Sequence, residues 1–274
     1  MSRPLHLRSR SAGADGIEEV TTILRNDWDP ARAAVIICDM WDAHHCVSAA
    51  RRTAEMAPRV NEVAAGLREQ GALLIHAPSG CVDFYDGTPA RERAIQAPHA
   101  PAPAPFDWNG WEHDGDAELP ATLTDPGGCS CDSAQPCGEA APPYPWTRQT
   151  PLIGIDPRDA VSDDGQEVFN LLEARGIEDV IVMGVHANIC VLGRPFGIRQ
   201  LVQLGKKPVL CRDLTDSFHR DPRGHFRGTA DVAAHIERRW CPTVTSDQLV
   251  GGSPFRFNED NDVTATLLPR PANG

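Results

Sequence analysis

Short continuous apolar runs alternate along this chain with segments whose apolar residues recur at helical spacing. Residues 33–39, AAVIICD, form an unbroken apolar run ending in an acid, the pattern of a strand buried on both faces of a parallel sheet. After a polar turn, Met56, Val60, Val63 and Leu67 recur at helical spacing within 47–70, and Pro58 is expected in the first turn of the better half of that helix. Gly71 is expected to end it, and ALLIHAP, 72–78, is the next strand. The alternation resumes at Ser162 and Asp163, a helix cap before GQEVFNLLEARG. DVIVMGV, 179–185, then predicts a strand, Cys190 to Leu204 a helix, KPVLCRDL, 207–214, a strand, 228–240 a helix, and TVTSDQ a last short strand. Strands alternating with helices predict one α/β domain over 31–250, with three layers, α/β/α, around a mostly parallel sheet. No internal repeat interrupts the pattern.

Between about 78 and 150 the alternation stops. This stretch holds PHAPAPAPFDWNGW and DPGGCSCDSAQPCGEAAPPYPW and takes most of the excess among the chain's 23 glycines and 24 prolines. Three of the six tryptophans, Trp108, Trp111 and Trp146, lie in it. Disordered segments are poor in aromatics, so the Pro/Gly-rich insertion is expected to be an ordered cover or lid. The Gly/Pro/Asn-rich tail, 251–274, is expected to be loosely held.

A formal net charge of -12 repels phosphate backbones and sets nucleic acid aside as a partner. No apolar run approaches the length of a membrane span. The basic start, MSRPLHLRSRSAG, lacks the apolar core of a secretory leader. Nine cysteines without such a leader fit a cytoplasmic protein with reduced thiols.

Ligands of open α/β sheets bind beyond the carboxyl ends of the strands. Asp39 stands at one such end, and GVHANIC, 184–190, follows another. Cys190 falls where the next helix begins, a position that favours thiolate and offers N–H groups to an oxyanion. A carboxylate across the cleft would accept the thiol proton. A buried structural cysteine and an acid capping a helix read equally from the spacing.

Asp39 within DMWDAH, the later GVHANICV opening a helix, and the lead-in EVFNLLEARGIEDVIVMGV together resemble the isochorismatase-like hydrolase superfamily. This group of cysteine hydrolases includes nicotinamidases and N-carbamoylsarcosine amidases, and the resemblance covers roughly residues 31 to 250 apart from most of the insertion. It implies cleavage of a carbon–nitrogen bond in a small amide or carbamoyl compound through a thioester. In that scheme Cys190 is the nucleophile, Asp39 the base, and backbone groups of Val185, His186 and Cys190 hold the oxyanion. No cofactor is needed for this chemistry. Isochorismatases themselves lack the cysteine, so isochorismate cleavage is disfavoured.

The chain departs from the family pattern in three ways. The only lysines, Lys206 and Lys207, follow Cys190, whereas the family lysine precedes it. Arg148 occupies that place, and an arginine can hold Asp39 but does not readily give up a proton. His186 stands where the family has a small residue; the resemblance implies a cis Val185–His186 bond. His186 could join proton transfer or point into the scaffold. The segment after Asp39 reads MWDAHHC, so Trp41 and His44, with Trp146 from the insertion, are expected to line the substrate pocket. His76, Asp83 and Asp86 include no Asp-x-His pair, which leaves the nicotinamidase metal site unsupported.

Cys129, Cys131 and Cys137 lie within nine residues of one another in the insertion. They could bind a structural zinc with His113, Asp132 or His99, form a disulfide, or remain free thiols. Two other readings of the chain stay open: a binding or regulatory protein that kept the fold without the lysine, and a zinc- or redox-responsive protein. The family resemblance also implies a homo-oligomer, dimer or tetramer.

Overall fold

The apolar runs become the inner strands of one eight-stranded sheet. The computed structural model describes residues 4–13, 17–103, 106–108, 119–131, 137 and 144–260. In chain order the elements are β1 (Leu5–Ala12), β2 (Glu18–Arg25), β3 (Ala33–Cys38), α1 (Val47–Glu69), β4 (Leu73–Ala77), α2 (Pro89–Ile95), β5 (Ala160–Val161) and α3 (Gly165–Ala174). They continue with β6 (Asp179–Val185), α4 (Cys190–Gly193), α5 (Ile198–Gln203), β7 (Lys207–Asp216), α6 (His225–Arg239), β8 (Thr243–Val244) and α7 (Ser246–Val250). The strand order is β2-β1-β8-β7-β6-β3-β4-β5; β8 through β5 run parallel, and β1 pairs antiparallel with both neighbours.

Alternation along β3 explains the three layers. Ala34, Ile36 and Cys38 face a core shared with α3, α5 and α6, while Ala33, Val35 and Ile37 face a core shared with α1 and α7. Every residue of β3 is buried, as expected of a strand covered on both faces. The fold is therefore α/β, three-layered and mostly parallel.

Several elements differ from the sequence reading. The first thirty residues were not assigned structure, yet β1 and β2 extend the sheet, and β1 turns Leu5 and Leu7 into the core. α1 runs unbroken through Pro58. Its apolar stripe, Met56 to Leu67, packs on the sheet and offsets the missing backbone donor. The helix predicted from Cys190 to Leu204 is two short helices, α4 and α5, separated by a segment containing Pro195 and Gly197. The first ten residues of the tail are held: Phe255 N–H donates to Asp213 at 2.8 Å and Phe257 is buried. Within the insertion the described residues include α2 and 3-10 turns at Val82–Tyr85 and Ala121–Leu123. Trp108 packs toward α3, 6.3 Å from the Phe169 ring, rather than closing over a cleft; Trp111 lies outside the described residues.

Gly184 is where β6 departs from regular pairing with β7. Its φ is +115°, and a Cβ there would meet the Cys38 carbonyl oxygen at 2.0 Å. Gly184→Ala should therefore destabilise the fold by about 3 kcal/mol or more, through backbone conformation and overlap together. Denaturant unfolding would measure it, and a wild-type midpoint would contradict the role of this contact.

Candidate active site

Asp39 and Cys190 meet at the carboxyl ends of the adjacent strands β3 and β6. Asp39 follows the last residue of β3, takes a positive φ of 50° and is fully buried. Its Oδ1 accepts the Ser79 N–H at 2.7 Å, and its charge acts on Cys190. The Val185–His186 peptide after β6 is cis. The N–H groups of Ala187, Ile189 and Val191 go to the carbonyls of Asp216, His186 and His186. Val185 remains a strand residue, its carbonyl accepting from the Cys38 thiol at 3.5 Å.

The cation beside Asp39 is Arg194. Its Nε lies 3.4 Å from Asp39 Oδ2, and it also reaches the Cys190 sulfur. Arg148, assigned this place from the sequence, is elsewhere. Residues 147–150 run back along 40–42, with Asp42 N–H donating to the Arg148 carbonyl and Thr150 N–H to that of Met40. Arg148 is thus left half-exposed, 3.8 Å from Asp42 and 5.3 Å over the Phe84 ring. The sequence did hold a signal for Arg194: it stands four residues after Cys190, hence on the same face of one helical turn. Lys206 and Lys207 pair with Glu173 and Glu178, away from this cluster.

Electrostatics in the cluster also correct a sequence expectation. A helix start was expected to lower the Cys190 pKa, but burial, and then the charge of Asp39, push it up. α4 has only four residues, too few peptide dipoles to oppose those effects. Burial likewise raises Asp39, opposed chiefly by Arg194. Arg194 gains pKa from Cys190 and Asp39 despite its own burial. Burial thus shifts both groups of the pair toward their protonated forms.

Aromatic rings wall the same region. Trp41 and Trp146 stack with centroids 4.1 Å apart, and Trp41 Nε1 donates to the Ser79 carbonyl at 3.1 Å. His44 lies 5.8 Å from Trp146 and edge-on to His186 at 5.2 Å. Trp41, Trp146 and Cys190 belong to one apolar cluster, so the three residues expected to touch substrate do come together. The insertion reaches the turn before Cys190 through Asn188, whose Nδ2 donates to the Leu123 carbonyl at 2.9 Å. His76, by contrast, is structural: buried, it bonds Gln149 at 3.0 Å and Asp159 at 3.1 Å. Asp83 and Asp86 lie in and after an exposed 3-10 turn.

Beneath the turn, Asp216 anchors α1 and α6 through Arg52 Nε at 2.8 Å and His225 Nε2 at 2.6 Å. Burial alone would raise its pKa, but the charges of His225 and Arg52 outweigh that and hold it well below the carboxylate range. Nearby histidines are kept neutral. Burial, then His44, lowers His186; burial, then His225, lowers His219 to about 4. His186 Nδ1 and His219 Nε2 are buried without a partner among the described residues. A lowered folded pKa gives stability that is complete above the unfolded value, about 6.5, and is lost as pH falls through the folded one. The fold should therefore weaken between about pH 6.5 and pH 4, His219 alone contributing about 3 kcal/mol. Unfolding midpoints across that range would show the slope, shallower in His219→Asn; a flat profile would rule out neutral burial.

Fold and site together define a three-layer α/β/α protein with a buried thiol and carboxylate and a part-buried guanidinium gathered where two adjacent inner strands, β3 and β6, end. No protein-family model and no curated protein matches the sequence. Among solved structures, the chain is similar to a cysteine hydrolase from Pseudomonas syringae pv. phaseolicola 1448A, at 13% identity and TM-score 0.48 over 91% of this chain and 97% of that one. It is also similar to an isochorismatase from Pseudomonas putida KT2440, at 11% identity and TM-score 0.46 over 81% and 92%. A third is an isochorismatase family protein from Burkholderia thailandensis, at 14% identity and TM-score 0.44 over 81% and 94%. The functional reading rests on the geometry of the site itself. No described helix is long and apolar enough to cross a membrane.

Proposed function

We propose that this chain is a cysteine hydrolase that cleaves the carbon–nitrogen bond of a small amide or carbamoyl compound through a thioester. The observation that carries this reading is the burial of Cys190 and Asp39 together at the ends of adjacent strands, with the Arg194 guanidinium 3.4 Å from Asp39. Asp39 takes the thiol proton as the sulfur attacks the substrate carbonyl. Arg194 stays charged throughout and stabilises the anion on sulfur or on Asp39. The neighbouring N–H groups of Ala187, Ile189 and Val191 are engaged, which leaves those of Asn188 and Cys190 as the donors assigned to the oxyanion.

Asp39 then returns the proton to the leaving nitrogen as the C–N bond breaks, leaving the acyl group on sulfur. Water enters, gives a proton to Asp39 and attacks the thioester carbonyl. The carbon–sulfur bond breaks, and Asp39 reprotonates the sulfur. Trp41 and Trp146 offer a flat apolar wall to the substrate, with His44 at its edge.

The test is ammonia release from a panel of small carboxamides and N-carbamoyl compounds, with mass spectrometry of the enzyme during turnover. The expected result is ammonia together with an acyl adduct on Cys190. No ammonia, combined with a Cys190 no faster to alkylate than an ordinary thiol, would instead mark a binding protein that kept the fold.

A further inference from the structure

We propose that Cys46, Cys129, Cys131 and Cys137 form a four-thiolate zinc site that fastens the insertion to the first turn of α1. All four sulfurs lie within 4.8 Å of one another. Cys131 Sγ is 3.0 Å from Cys137 Sγ and 3.4 Å from Cys46 Sγ. Four sulfurs around a tetrahedral zinc, each about 2.3 Å from the metal, stand about 3.8 Å apart. The two Cys131 separations fall short of that value by 0.8 and 0.4 Å and every pair lies within 4.8 Å, so changes of no more than about 1 Å complete the geometry. All four cysteines are free thiols. The sequence pointed to the three insertion cysteines with His113, Asp132 or His99 as a fourth partner. His113 and Asp132 lie outside the described residues, and Cys46, distant in sequence, is the residue that joins the three.

The surroundings suit thiolate. Cys46 is the N-cap of the 23-residue helix α1, so its sulfur sits at the positive end of that helix. Val47 N–H donates to Cys137 Sγ at 3.1 Å, and Cys131 N–H donates to Cys129 Sγ at 3.3 Å. Such N–H donors orient and stabilise metal-bound sulfur. Arg220 donates to the Cys129 carbonyl, setting a cation beside a centre of net charge about −2 once one Zn²⁺ has replaced four thiol protons. A closed soft set of four sulfurs, with no carboxylate among the ligands, selects zinc over magnesium or calcium and leaves no position for water or substrate. The metal is structural.

What it would hold in place follows from the packing. Cys46 packs with Ala49 and Phe218, and Cys129, Cys131 and Ile189 close on that cluster. Ile189 immediately precedes Cys190, and Asn188 bonds both Leu123 and Phe218. The four sulfurs thus pin the insertion where it meets the turn that carries the reactive thiol.

The test uses the intact reduced chain, purified after growth with zinc. Metal analysis should find about one zinc per chain, and a mercurial should release it as four thiols react. Exchange with Co²⁺ should produce the charge-transfer and intense visible bands of tetrahedral cobalt–thiolate. Cys46→Ser should lose most of the zinc and change those bands, while Cys241→Ser, a buried thiol elsewhere, should keep both. A folded wild-type chain with no zinc and no cobalt–thiolate bands would overturn the proposal. So would a Cys46→Ser chain that binds zinc like wild type. These readouts need no turnover, so they stand or fall separately from the proposed hydrolysis.

Discussion

Cys190→Ala is expected to lower kcat/KM for carboxamide or N-carbamoyl hydrolysis by about 10⁴-fold or more, because the mechanism has no second nucleophile. The loss should not reflect unfolding. Removing one sulfur from this 6%-exposed position leaves a small void costing about 1 kcal/mol, which a melt would register separately. Asp39→Asn keeps the shape and the acceptor for the Ser79 N–H but cannot take a proton, and a loss of similar size is expected. The double variant should lose little more than either single one, since base and nucleophile act in one step. The acid limb of the kcat/KM profile should lie above the ordinary carboxylate value of about 3.9, since burial raises Asp39. Ammonia release by the four proteins checks all of this. Activity in Cys190→Ala above a tenth of wild type would exclude the thioester route.

Exchanging the two arginines in turn gives the second large contrast. Arg194→Met removes the guanidinium 3.4 Å from Asp39. It should cost about 10²- to 10³-fold in kcat, the usual effect of deleting one charged stabiliser from a buried site. It should also move the acid limb of the profile further up, because Arg194 is what opposes the burial of Asp39. Arg194→Lys keeps the charge without the planar fork and should recover part of the rate. Arg148→Met removes a half-exposed side chain paired only loosely with Asp42, and kcat should stay within about threefold of wild type. Equal losses in the two methionine variants would overturn the assignment of Arg194, and a loss confined to Arg148→Met would restore the sequence-based choice.

The aromatic wall and the acid-sensitive histidines show how far local pattern reaches. Trp41, His44 and Trp146 could be named from their positions beside Asp39 and at the end of the insertion. Their stacking could not, because it depends on residues 147–150 returning alongside 40–42. The same return explains the misplaced arginine. Motif order assigned Arg148 the place of the cation that holds Asp39, but backbone pairing with Asp42 fixes the direction of its side chain outward.

By itself, the sequence determined the α/β alternation, the burial of β3 on both faces, and the placement of Asp39 and the Cys190 segment beyond the carboxyl ends of two strands. These follow from local periodicity and from a topology that sends parallel strands through one sheet, properties carried by contiguous residues. Tertiary structure alone decided that Arg194 is the charged partner, that burial raises rather than lowers the Cys190 pKa, and that Cys46 joins Cys129, Cys131 and Cys137. Each of these depends on distances between segments far apart in the chain and on the solvent excluded between them, and neither quantity is encoded in any short stretch of residues.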